Sequence, residues 1–245
     1  MRPEYRAQFY IRACWGAREE TPAELADRFV RLIDRLTSID PVFALWTSGA
    51  KGPKKFETIR DQYADVVRAC MSRDELGEVP IEGYQFFAIT RGQPQSRSFS
   101  VGASAGAYLP TSRNQNSLTF ETSDLAVPDP SSVTYSLFRS ALLAIIDIWK
   151  PDDCLVMSPQ LFEFIDLDRH FRDPWMQYLS KPFADLITPP SNVHVERLSD
   201  GGLLMAATTD TFNVDNPVHL AGARAIGAAT LPLEKLPYVK DPNFP

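Results

Sequence analysis

Apolar and polar positions alternate from the first residues of the chain. Tyr5, Ala7, Phe9, Ile11, Ala13 and Trp15 fall on one side, and Arg6, Gln8 and Arg12 on the other. A period of two marks a strand with one buried face. The period changes after Thr21. Thr21, Pro22 and Glu24 form a capping box with proline at the first helical position. Leu25, Phe29, Leu32, Ile33 and Leu36 then recur at helical spacing, while Arg28, Arg31 and Arg35 turn away. Burying those apolar side chains contributes about 1.5–3 kcal/mol each. The pattern next predicts a short strand over 42–47, a lysine-bearing loop over 49–55, and a helix with Ile59, Tyr63, Val66, Val67 and Cys70 on one face. Three strands follow near 84–91, 97–103 and 117–122, the last two joined as a hairpin with a long loop.

Ser131 or Ser132 caps the most apolar helix, 133–149. From Phe138 onward only Arg139, Ser140 and Asp147 are polar there, which places this helix against the sheet. Pro151 ends it, and 154–157 reads as a short apolar strand. The stretch 161–186 mixes aromatic residues with no clean period. Strands at 193–198 and 203–208 flank the turn Asp200-Gly201-Gly202. Asn216 and Pro217 open a last helix that runs to about residue 230, before a proline-rich tail. Hairpins interleaved with helices argue for an α+β fold. The expectation is a single domain over 1–245, with a mixed, largely antiparallel sheet and about four packed helices.

The chain has 245 residues, 44% hydrophobic and 23% charged, enough to bury a large core. Its net charge of −6 argues against free nucleic acid as a partner, because phosphate binding needs a basic face. Cys14, Cys70 and Cys154 are widely spaced and make no CxxC pair, so they read as core residues rather than as a zinc ribbon or disulfide framework. No apolar signal-like run opens the chain, and the stretch 141–149 is too short to span a bilayer. The expected location is the cytoplasm, with no membrane partner.

The chemical inventory is thin. Gly102-Ala103-Ser104-Ala105-Gly106 fits GxSxG, and a serine hydrolase using Ser104 with His219 is the alternative reading. A nucleophile elbow, however, follows a buried parallel strand and opens a helix. Here the preceding strand alternates with serines, and a loop rich in proline, serine and asparagine follows. Asp166, Asp168 and His170 spell D-x-D-x-H, whose ligand types can hold a divalent ion. The glycine and distal glutamate of a calcium loop are missing. His219 reads as a surface or cap-side residue, and His194 has no partner in sequence. Glycine-rich phosphate loops are absent, so no cofactor is expected and the chain does not read as an enzyme.

The C-terminal third reads Gly201-Gly202-Leu203-Leu204-Met205-Ala206-Ala207-Thr208, then Phe212-Asn213-Val214-Asp215-Asn216-Pro217, then Ala223-Arg224-Ala225-Ile226 and Leu231-Pro232-Leu233. With the opening strand that ends Ala13-Cys14-Trp15-Gly16 and the central hairpin strands Phe99–Gly102 and Asn116–Thr122, this resembles the immunity protein 52 family of bacterial polymorphic-toxin systems. The resemblance implies an antitoxin that binds a cognate toxin encoded by an adjacent gene and delivered by type VI secretion. The implied toxin is often a nuclease of restriction-endonuclease type. The family's motifs carry no catalytic residues. An acidic protein can fill a basic nuclease cleft. On that basis Glu19, Glu20, Asp166 and Asp168 are expected to contact the toxin, with Trp175 and Tyr178 as exposed aromatic anchors.

Overall fold

In the computed structural model, residues 8–72, 83–91, 94–108, 116–122, 128–163 and 169–236 are described. The alternating N-terminal segment forms β1 (Tyr10–Trp15), which lies in the middle of a sheet, not at its edge. The other strands are β2 (Trp46–Ser48), β3 (Lys54–Lys55), β4 (Tyr84–Thr90), β5 (Phe99–Ala105), β6 (Asn116–Thr122), β7 (Asp153–Met157), β8 (Met176–Leu179), β9 (His194–Arg197) and β10 (Leu203–Ala206). All join one antiparallel sheet of ten strands in the order β3-β2-β4-β5-β6-β1-β7-β8-β10-β9.

One face of this sheet is closed by α1 (Pro22–Ile39) and α4 (Tyr135–Trp149). The capping box of α1 is present: Glu24 N–H donates to Thr21 Oγ1, and Thr21 N–H donates to Glu24 Oε2 at 2.8 Å. Caps of this kind contribute about 1 kcal/mol. The predicted helical face of α1 is buried at Leu25, Phe29, Leu32, Ile33 and Leu36. Phe29 packs edge-on to Phe86 of β4 at 5.0 Å and stacks on Tyr63 at 5.2 Å. Helix α4 meets the centre of the sheet, with Trp149 5.3 Å from Trp15 and Phe138 6.0 Å from Phe120. Its N-cap is Thr134, whose hydroxyl accepts from Leu137 N–H. Ser131 and Ser132 belong instead to the 3-10 turn before it.

Two further expectations need correction. Residues 42–47 do not make a strand: Asp40 caps a 3-10 turn over Pro41–Phe43, and only Trp46–Ser48 pairs with the sheet. The second helix is broken into α2 (Phe56–Ile59) and α3 (Tyr63–Ala69) by a 3-10 turn.

Among the described residues, the second face of the sheet is covered on one side only. Strands β7, β8 and β10 are buried along their whole length, so both of their faces are covered. Short α5 (Lys181–Ala184) packs on β8, and α6 (Pro217–Thr230) packs on β10, with residues 169–173 between them and β7. Beyond β1 the cover stops. Strands β4, β5 and β6 alternate between buried and accessible positions, as antiparallel strands do when one face meets water.

Candidate interaction face

Strand register fixes what this uncovered face displays. Residues directly opposite one another in antiparallel strands share a face. Three rows therefore cross β4, β5, β6 and β1: Ile89–Ser100–Glu121–Tyr10, Phe87–Gly102–Thr119–Arg12 and Gln85–Ser104–Ser117–Cys14. The middle of the face is small and polar, and Ser100 Oγ donates to Glu121 Oε1 at 3.1 Å. Its two flanks are aromatic. At one, Phe87 is 55% exposed, standing opposite Gly102, which has no side chain to cover it. Phe87 and Ile89, with Thr47, Pro53 and Arg91, line a hollow of about 430 Å³ floored by β2 and β4 and walled by the 49–53 loop. At the other flank the ring of half-exposed Phe162 lies 6.4 Å from Tyr10, with the Arg172 guanidinium over it at 5.8 Å. Three strand spacings, about 14 Å, separate β4 from β1, a span that suits one protein partner.

The charge of this face runs against that of the whole chain. Arg91 lines the hollow, Lys55 shares the face of Thr47 and Ile89 by register, and both are exposed; Arg12 lies further along the face. Glu121 is the one carboxylate on the accessible positions of β1, β4, β5 and β6. A second, larger concavity of about 650 Å³ lies between α1, α4 and the β9–β10 turn. Among its charges Lys150 pairs with Asp147 at 3.1 Å, and Glu196 pairs with neighbouring Arg139 at 2.6 Å.

The residues singled out from sequence are dispersed. Glu19 is exposed. Glu20, 7% exposed, is instead buried beside two arginines, 3.1 Å from Arg28 and 3.9 Å from Arg18. Burial pushes its carboxyl above the usual range against the pull of those guanidinium groups. Arg18 is itself tied to the end of α4, donating to the Trp149 carbonyl at 3.0 Å. Glu20 is therefore a structural ion pair rather than a free rim charge. Trp175 and Tyr178 are not exposed anchors. Trp175 is fully buried, packed on Phe9 at 5.2 Å and donating its Nε1–H to the Thr208 carbonyl at 3.0 Å. Tyr178, 3% exposed, donates to Asp200 Oδ2 at 2.9 Å. Its ring lies so close under Gly202 that a Cβ there would sit 2.5 Å from it. Asp166 and Asp168 lie outside the described residues.

The hydrolase constellation is not assembled. Ser104 sits inside β5, paired with Gln85 on one side and Ser117 on the other, not on a strand-to-helix turn. His219 is buried, not on the surface, and its Nδ1 accepts from Asn213 N–H at 3.2 Å. Cys14 and Cys154 are buried and Cys70 half-buried, and all are free thiols. Cys14, Asp153 and His170 form the one group of three or more metal-ligating side chains among the described residues. No helix among those residues is long and apolar enough to cross a membrane.

The sequence did hold a signal for the aromatic flank. In β4, Tyr84, Phe86 and Ala88 account for the buried face, so Phe87 and Ile89 are surplus apolar residues on the other.

The sequence model described as immunity protein 52 matches residues 7–231. No curated protein matches the chain at a significant level. Among solved structures, the Pseudomonas aeruginosa T6SS protein PA0821 aligns over 89% of this chain and 72% of its own, with 11% identity and a TM-score of 0.48.

Proposed function

We propose that this chain, which belongs to the immunity protein 52 family, binds and neutralises a cognate secreted toxin by laying the uncovered face of its sheet against it. The partner is a nuclease of restriction-endonuclease type, encoded beside this chain and delivered by type VI secretion. The chain acts in the cytoplasm, one copy per toxin, without a cofactor. The observation that carries the surface assignment is exposed Phe87 over its apolar hollow, on a sheet face that no element among the described residues covers. Half-exposed aromatics beside a pocket are the side chains that dominate protein interfaces.

Charge suggests how neutralisation works. A face bearing Lys55, Arg91 and Arg12 is repelled by a phosphate-binding cleft, which must itself be basic. It suits an acidic surface of the toxin outside that cleft. Blocking then acts on the toxin's conformation or assembly, and the substrate path is closed indirectly. Exposed Glu19, with Asp166 and Asp168, remains a secondary contact of this reading.

Co-purification with the product of the neighbouring gene, followed by a nuclease assay on the isolated pair, tests the function. A one-to-one complex without cleavage activity is expected. A complex that still cuts, or no complex at all, removes the antitoxin reading. The surface assignment has its own test. Reversing Lys55 and Arg91 to glutamate is expected to slow association about tenfold or more at low salt and to flatten its salt dependence, with little change in dissociation. Unchanged association by a folded double variant would place the contact elsewhere while leaving the function standing.

A further inference from the structure

A cysteine, an aspartate and a histidine that are far apart in sequence meet beside the covered end of the second sheet face. Cys14 of β1 stands directly opposite Asp153 of β7, so their side chains share that face. Residues 169–173 bring His170 over the pair, with Nε2 3.0 Å from Asp153 Oδ2. One donor atom from each of the three residues lies within 4.8 Å of the others. Cys14 and Asp153 are 2% and 1% exposed, and the His170 side chain is 15% exposed. Around a tetrahedral zinc ion, with bonds of about 2.0–2.3 Å, donor atoms stand roughly 3.2–3.7 Å apart. The His170–Asp153 separation is already at that scale, and the set closes with a shift of about 1 Å or less.

We propose that Cys14, Asp153 and His170 form a binding site for one divalent transition-metal ion of the zinc class, with water completing the coordination on the His170 side. The donor set selects the ion: thiolate and imidazole suit zinc and cobalt, whereas magnesium and calcium take oxygen. The surrounding charges are Arg12, against the Cys14 sulfur, and the carboxylates of Asp152 and Asp153. With a thiolate at Cys14, three negative groups face one guanidinium and the ion, so the cluster accommodates a cation. Binding displaces the Cys14 proton, which passes to solvent as the sulfur–metal bond forms. Such an ion would fasten residues 169–173 to β1 and β7, independently of any toxin.

The test is a titration of the full, chelator-stripped chain with cobalt(II), followed by thiolate-to-cobalt charge-transfer absorption and by displacement with zinc. One equivalent is expected. Cys14→Ser should abolish the charge-transfer band, and Asp153→Asn and His170→Gln should each weaken binding about tenfold or more. Circular dichroism checks that each variant is folded. Absence of the band in the wild-type chain overturns the site whatever the variants do, and so does a band that survives Cys14→Ser.

Discussion

Replacing Phe87 with aspartate is expected to weaken toxin binding about a hundredfold, ~2.8 kcal/mol, with a smaller loss of stability, about 1 kcal/mol, from the strand preference of phenylalanine over aspartate. The side chain is 55% exposed and faces Gly102 across the strand pair, so shortening it opens no cavity in the core. The backbone of β4 keeps its pairing with β2 and β5 on either side. In a complex the same position becomes buried, and a carboxylate there is desolvated without a partner or set against an acidic toxin surface. Both effects oppose binding, and truncations of central aromatic anchors commonly cost 2 kcal/mol or more. Calorimetry on the purified pair measures the loss, and urea denaturation of the variant alone measures the fold. Unchanged affinity in a folded variant would clear the sheet face of any part in recognition.

Trp175 is expected to give the opposite result. Trp175→Ala should lower stability by about 3–5 kcal/mol, a large share of the ~5–15 kcal/mol that holds a domain together. The indole packs against Phe9, Tyr135 and Phe138 at 5.2, 6.3 and 5.9 Å. Its removal also leaves the Thr208 carbonyl without the donor it has in the native state. The midpoint in urea should fall with little change in the slope. A stable variant with weakened toxin binding would instead return Trp175 to the role of a surface anchor that its sequence context suggested.

These two tryptophan and phenylalanine positions show where sequence reading succeeds and where it stops. Strong local periodicity carried the helices α1, α4 and α6 and the strands β4, β5 and β6, because their burial patterns repeat over several turns or rungs, while the Asp200-Gly201-Gly202 turn marked the C-terminal hairpin. Strand β8 was hidden for the converse reason. Its four residues are buried on both faces, so Met176, Gln177, Tyr178 and Leu179 show no alternation. Tyr178 and Trp175 looked like surface aromatics because their polar atoms are satisfied by Asp200 and Thr208, partners that only the sheet order brings near. Glu20 failed similarly. The loop position suggested solvent, but a helical turn carries Arg28 back over it. Phe87 was readable in principle, as an apolar residue on the wrong face of its strand. The Cys14–Asp153–His170 cluster was not readable, since strand register pairs the first two and only the path of residues 169–173 adds the third.

The central position of β1 has a consequence in time. Its two neighbours, β6 and β7, lie more than a hundred residues later in the chain, and the contact from Tyr10 to Met157 spans 147 residues. During synthesis, at ~5–20 residues per second, the first strand waits roughly 7–30 s for its last partner to leave the ribosome. Until then the sheet is split, and half of its core has nothing to pack against. A cell that depends on this chain for protection is guarded by finished copies alone, so a standing reserve of folded protein matters more to it than rapid induction.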